Sequence, residues 1–120
     1  MLNLDTHIVV HALADRLKPR EAELLAQDTW SISAICLWEL AKLVELGRID
    51  LNLDDADVKR ALAKIHIWPI TLPICREIRR LDFKGDPADE LIAATSIVEG
   101  VPLVTRDRII RKSRVVPLAL

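Results

Sequence analysis

Short apolar runs alternate with longer amphipathic ones along the chain, and this alternation predicts strands separated by helices. Leu2 to Leu4 reads as a strand ending at Asp5, and THIVVHALA, from Thr6 to Ala14, as a helix that opens directly after it. A second helix is expected over Pro19 to Gln27, with proline at its start and Glu21 and Glu23 in its first turn. Thr29 to Ile32 reads as the second strand, and Ser33 then caps a long helix to about Leu46, closed by Gly47. Asp54 or Asp55 can cap a helix running to about His66. Ile67 to Thr71 is a third strand, and its Pro69 assigns it to a sheet edge. Pro73 opens a helix to about Leu81. A strand over Val101 to Thr105, a short basic helix near Arg106 to Lys112 and a last strand near Val115 to Leu118 complete the pattern.

One stretch departs from the amphipathic rule. In GDPADELIAATSIVEG, Gly85 to Gly100, Asp86 stands at an N-cap position, Pro87 suits the first helical residue and Gly100 is a natural stop. From Leu91 to Val98 only Thr95 and Ser96 are polar, so the helix is expected inside the protein. Asp89 is then anomalous. It shares a face with Ile92 and Ala93, where a carboxylate needs compensation.

Strands alternating with helices argue for a mainly parallel, roughly five-stranded sheet covered on both faces, a three-layer α/β/α sandwich. Ligands in such sheets bind at the carboxyl ends of the strands. Asp5 ends the first strand, Asp107 lies two residues past Thr105, and Asp89 stands on a helix N-terminus that can face the same edge. Glu39, on the long helix with Ile35 and Leu43, marks the boundary of the buried surface. Capping alone would account for Asp5, Asp86 or Asp107 taken singly, and Glu39 could simply pair with Lys42. Capping does not account for four acids converging on one edge.

Composition adds bounds. The 120 residues are expected to form one domain, residues 1–120, with a substantial core. No apolar run reaches the roughly 18–20 residues of a membrane span, and MLNLD lacks a basic leader, so no membrane partner and a cytoplasmic location are expected. Cys36 and Cys75 have no metal-type spacing and are expected to be buried free thiols. The net charge of −1 conceals an asymmetry: of 17 Lys and Arg, seven precede Ala61 and ten follow Arg60, while the 18 Asp and Glu divide eleven to seven. The densest basic run, Arg106, Arg108, Arg111, Lys112 and Arg114, is a candidate phosphate-contacting edge or else a solvated helix face. Trp30, Trp38, Trp68 and Phe83 occupy apparent core or boundary positions, so no base-stacking platform is evident.

Three segments together, LDTH from Leu4 to His7, SISAICLWELAKLVELGRI from Ser31 to Ile49 and GDPADELIAATSIVEGVPLVTRD from Gly85 to Asp107, resemble the PIN-domain ribonucleases of the VapC toxin type. The resemblance runs over essentially the whole chain. It implies a PIN-like fold and an acidic metal site of Asp5, Glu39, Asp89 and Asp107, supported by Thr6, Asp86 and Thr105. It also implies magnesium or manganese as the cofactor, RNA as substrate, and products with 5′-phosphate and 3′-hydroxyl ends. Two departures stand out: Glu90 replaces an arginine frequent in relatives, and FKGDPAD replaces HRDPFD. Both spare the acids.

The residue types agree with that chemistry. Clustered carboxylates repel one another, and a hard divalent cation with oxygen ligands relieves the repulsion. Arg106, Arg108 and Arg111 are then placed to hold substrate phosphates. His7 and His11 suit surface or packing positions better than catalysis by the ribose hydroxyl. The resemblance further implies a VapB-type antitoxin whose tail fills the cleft, a structured RNA substrate, and a homodimer. The apolar positions Leu24, Leu25, Leu37, Leu40, Val44 and Leu46 offer more apolar surface than a small core buries, and part of it is expected to bind the antitoxin or a second copy of the chain. A phosphoacceptor receiver domain would need paired acids after the first strand, where only Asp5 stands. A catalytically silent RNA- or partner-binding domain of the same fold is the remaining alternative.

Overall fold

The computed structural model describes residues 1–120. Four strands, β1 (Leu2–Leu4), β2 (Trp30–Ser33), β3 (His66–Trp68) and β4 (Leu103–Val104), form a parallel sheet in the order β3-β2-β1-β4. Parallel neighbours require crossovers, which the helices supply. Helices α1 (Thr6–Leu13) and α2 (Pro19–Ala26) join β1 to β2; α3 (Ala34–Glu45) and α4 (Ala56–Ala63) join β2 to β3. The return from β3 runs through α5 (Leu72–Glu77), a 3₁₀ turn (Ile78–Arg80) and α6 (Pro87–Glu99), and β4 leads to α7 (Arg108–Arg111). The α/β architecture with a parallel sheet is as the pattern predicts.

Strand order places a reversal beside β1. The chain moves outward from β1 to β2 to β3, then crosses to the other side of β1 for β4. Adjacent parallel strands whose connections leave in opposite directions open a crevice at their carboxyl ends. The residues at those ends are Asp5 after β1 and Thr105 after β4.

The fifth strand does not form. Residues near Val115–Leu118 make a single bridge, Leu103 to Leu118, with Leu103 N donating to Pro117 O at 2.8 Å and Ala119 N to Leu103 O at 2.9 Å. Pro117 has no N–H, so pairing cannot propagate along the segment. The β3 strand is shorter than expected and stops before Pro69, at the sheet edge as the proline predicts. The predicted helix at Pro73 begins at Leu72, capped by the Thr71 hydroxyl, and ends as the 3₁₀ turn.

Helix α6 is internal, as its composition predicts: Ala88 and Ile92 to Ser96 are buried, and it packs on α5, α3 and β2. Gly100 ends it with φ of 67°, a left-handed conformation that costs a side-chain-bearing residue but not glycine. Asn3 ties this helix to β1. Its amide Nδ2 donates to Ser96 Oγ at 2.9 Å and to the Ile92 carbonyl at 3.3 Å, and it is fully buried, while Oδ1 finds no partner. Since successive strand residues alternate faces, Asn3 addresses α6 while Leu2 and Leu4 enter the opposite half of the core.

Two side-chain expectations are corrected. Cys36 is buried, but Cys75 is exposed on α5. Trp38 is 56% exposed rather than at a core boundary, because α3 buries Cys36 and Leu40 and turns Leu37 and Trp38 outward. Asn3→Ala is expected to destabilise the protein by about 2 kcal/mol, through two lost buried hydrogen bonds and a small cavity. Urea unfolding at unchanged m-value measures this, and a loss below about 0.5 kcal/mol would remove Asn3 as the β1–α6 tie.

Candidate functional site

The end of β1 supplies the first acid. Asp5 is the N-cap of α1 and only 4% exposed; its Oδ1 accepts from Thr6 N at 2.8 Å and its Oδ2 from the Thr105 hydroxyl at 2.6 Å. Burial pushes its pKa up, against the lowering effect of these two bonds. Thr6 also reaches the second acid, donating its hydroxyl to Glu39 Oε1 on α3. This bond settles the choice for Glu39: Lys42 pairs with Glu45 instead, and Glu39 faces the site. Its carboxyl is raised by partial burial and by the neighbouring charges of Asp5 and Asp86.

The end of β4 supplies the third. Asp107 caps α7, its Oδ1 accepting from Ile109 N at 2.9 Å and Ile110 N at 3.0 Å, while its own N–H donates to Thr105 Oγ1 at 3.0 Å. Thr105 therefore accepts from Asp107 and donates to Asp5, which fixes the two strand ends to each other. Asp89 comes from the first turn of α6, where the helix dipole favours a negative charge. Even so, its pKa is pushed up to about 7, first by burial and then by the charges of Asp5, Glu39, Asp107 and Asp86.

Asp86 occupies the N-cap position of α6 as predicted, yet its side chain makes no capping bond. Its carboxylate bears on Glu39 and Asp89 instead, so the fold brings all five predicted acids and both threonines together. Glu39 Oε2, Asp107 Oδ2 and both oxygens of Asp86 and Asp89 carry no hydrogen bond, and no Lys or Arg forms a salt bridge with any of the five.

The predicted arginines divide. Arg106 is clamped to buried Glu21 on α2, Nε to Oε2 at 2.8 Å and Nη2 to Oε1 at 2.6 Å. Those bonds hold the Glu21 carboxyl down at about 2. Arg108 is exposed, and Arg111 donates from Nη1 to the Thr105 carbonyl at 3.2 Å. Glu21 was not among the expected site residues; its place in the first turn of a proline-started helix signals local capping, which it also performs by accepting from Lys18 N. The long-range clasp has no local signature.

No group of three or more His, Cys, Asp or Glu side chains is preformed to hold a metal ion. The all-oxygen donor set, with its unrelieved repulsion, suits a hard divalent cation that keeps several waters and takes few protein ligands, and it does not suit a zinc-type cage. An apolar groove of about 520 Å³, lined by Ile35, Trp38, Pro87, Ala88 and Leu91, opens at Glu39 and Asp86. Leu25 and Leu40 are buried in the core, whereas Leu37 and Leu46 remain exposed on α3 and at its end.

Residues 3–115 match the PIN domain family. The chain is 35% identical over 117 residues to ribonuclease VapC22 of Mycobacterium tuberculosis, covering 92% of this chain and 90% of that protein. Among solved structures, the fold is similar to VapBC2 from Rickettsia felis bound to a promoter DNA fragment, at TM-score 0.72 and 24% identity over 98% of this chain and 97% of that one. It is also similar to a toxin–antitoxin complex from Klebsiella pneumoniae, at TM-score 0.67 and 19% identity over 89% and 87% of the two chains.

Two outcomes are expected from this geometry. An unfolded chain loses the Asp89 proton near 3.8 and the folded protein at about 7. Between those values the folded state holds the extra proton, so stability falls as pH rises. The metal-free protein should therefore melt progressively lower from pH 5 to pH 8 than Asp89→Asn does; parallel melting profiles for the two would contradict the raised Asp89 carboxyl. The Glu21–Arg106 clasp has the opposite sign, because the folded carboxyl lies below its ordinary 4.5. Its contribution is complete above that value and disappears as pH falls towards 2, and Glu21→Ala should cost about 2 kcal/mol at pH 7 in urea unfolding.

Proposed function

The chain belongs to the PIN domain family, and from this premise we propose that it is a divalent-metal-dependent endoribonuclease, the toxin of a VapBC-type toxin–antitoxin pair. The observation that carries the reading is five carboxylates gathered at the β1/β4 switch point with no Lys or Arg paired to any of them, where burial first and then the charges of Asp5, Glu39, Asp107 and Asp86 push Asp89 up to about 7. A purely structural site would not gather charges that destabilise the fold.

Asp5 and Asp89 would hold the ion, magnesium or manganese, with Glu39 and Asp107 contacting it directly or through water. When bound, such an ion supplies an activated water and offsets the charge that develops on the phosphate. The chain's own residues set the geometry around that chemistry. The Thr105 hydroxyl fixes the rotamer of Asp5, and the first N–H groups of α7 hold only Oδ1 of Asp107, leaving Oδ2 free. Thr6 holds Asp5 with its backbone and Glu39 with its hydroxyl, so α1 and α3 keep their acids in register. The dipole of α6 lowers the cost of ionising Asp89 where it is needed.

Nothing in this arrangement calls for a covalent enzyme nucleophile. His7 is exposed beside Asp5, and His11 has its pKa lowered by burial and by Arg106, so an imidazolium acid is disfavoured there. Attack by water with the 3′-oxygen as leaving group breaks the P–O3′ bond and gives 5′-phosphate and 3′-hydroxyl ends. Exposed aromatic surface near the site is limited to Trp38, which favours recognition of a structured RNA by shape over a stacking platform. The antitoxin tail is assigned to the groove of Ile35, Trp38, Pro87, Ala88 and Leu91, with a basic side chain reaching Glu39 and Asp86. The exposed leucines of α3 suit a second copy of the chain.

The test is cleavage of structured RNA by antitoxin-free protein. Manganese or magnesium should support cutting, chelator should stop it, and Asp89→Asn should reduce it by at least about 100-fold. Cutting that survives both chelator and Asp89→Asn would sink the proposal.

A further inference from the structure

Next to the acidic cleft the surface changes sign. A trough of about 660 Å³ is lined by Lys18, Arg20, Arg106, Arg108 and Arg111, together with Pro19 and Leu120, and Glu21 is its only acidic side chain. Glu21 does not neutralise the whole set. Its two oxygens are taken by Arg106 at 2.6 and 2.8 Å and by the backbone N–H of Lys18 at 2.8 Å, so it cancels Arg106 alone. Lys18, Arg20, Arg108 and Arg111 form no salt bridge and leave four uncompensated positive charges in one concavity. Surface cations scattered singly need no explanation; four converging from two elements distant in sequence do.

The trough and the cleft share a wall. Arg111 donates to the carbonyl of Thr105, the residue whose hydroxyl holds Asp5. Arg106 lies between Thr105 and Asp107 and anchors that wall to α2. A ligand crossing from one compartment to the other thus meets a carboxylate set suited to a phosphate only through a cation, and then four cations suited to phosphates directly. A polyanion with regularly spaced charges satisfies both; a single phosphate satisfies only one at a time, and a neutral chain satisfies neither.

We infer that this trough, between the start of α2 and the β4–α7 segment, binds backbone phosphates of the RNA strand flanking the scissile bond, with Lys18, Arg20, Arg108 and Arg111 as the contacts and Arg106 as a positioning residue. The inference rests on the ribonuclease reading above and adds to it a path for the substrate. It also divides the basic run of the sequence: Arg106 serves the fold, and its neighbours are joined by two α2 residues that sequence spacing does not connect to them.

The experiment separates binding from cutting. Fluorescence anisotropy with a labelled structured RNA, in chelator and over a KCl series, is carried out on Asp89→Asn protein with and without Lys18→Ala/Arg20→Ala. Lys59→Ala/Lys64→Ala, on α4 and at its C-cap, serves as the charge-matched control. Removing two contacts to single-stranded backbone should lower the slope of log affinity against log salt by about 1.4 and weaken binding roughly tenfold, and the control should do neither. Arg20→Glu alone should weaken binding further than Arg20→Ala. In the cutting-competent background, the double variant should raise KM by more than it lowers kcat.

An unchanged slope and affinity in Lys18→Ala/Arg20→Ala would overturn the inference. So would loss of oligoglutamate binding with RNA binding intact, which would assign the trough to an acidic protein segment. If the slope falls as expected while the unsubstituted protein with manganese cuts no RNA, the nuclease reading fails and the trough stands. If that protein cuts and the slope is unchanged, the trough alone fails.

Discussion

Mutual repulsion among Asp5, Glu39, Asp86, Asp89 and Asp107 is the constraint around which the structure is arranged. Like charges push one another apart, and burial followed by that repulsion pushes Asp5, Glu39 and Asp89 towards protonation, so the fold must hold the acids in place against both. It does so with short, directional bonds, not with countercharge. Thr6 and Thr105 hold Asp5 from two sides, Thr6 also holds Glu39, and the first turn of α7 holds one oxygen of Asp107. Each of these donors is neutral, so the net negative charge of the cleft survives. Arginines in the same places would stabilise the protein more and leave nothing for a cation to do.

The rest of the fold serves that restraint. The β1/β4 switch point brings two strand ends together, and α6 can aim its first turn at the same crevice only if it is pinned to β1, which Asn3 accomplishes through Ile92 and Ser96. The buried body of α6 anchors a charged tip. Stability and function are thereby separated along one helix: Ile92 to Ser96 contribute burial, and Asp86 and Asp89 draw on it.

Much of this was legible in the sequence, because the signals were local. The strand–helix alternation, the cap at Ser33, the stop at Gly100 and the edge position given by Pro69 depend on neighbours in the chain. The convergence of Asp5, Asp89 and Asp107 was legible because strand ends and helix starts in a parallel sheet share an edge by topology, while Glu39, in the middle of α3, was marked only by its place at the boundary of the buried face. What was not legible depended on partners far away in sequence. Asp86 has the right residue and position for a cap yet makes no capping bond. Glu21 reads as a first-turn acid and proves to be the partner of Arg106, 85 residues away. Trp38 and Cys75 are exposed although apolar in type, because burial on a helix depends on which face the sheet covers. The missing fifth strand is a weaker case: Pro117 was visible, and its lack of an N–H limited the segment to one bridge.

Thr105, Arg106 and Asp107 stand in immediate succession, and each answers to a different part of the molecule: the β1 carboxylate, the α2 clasp, and the first turn of α7. Such a tripeptide has a fixed phase. Adding or deleting one residue there would rotate all three assignments at once, while the segment between α3 and α4 is tied to the core only through Ile49 and Leu51 and can change length around them. Divergence in a lineage of such chains would then be lopsided, with new lengths and specificities accumulating on the α3–α4 side while the β4 side changed only by substitution.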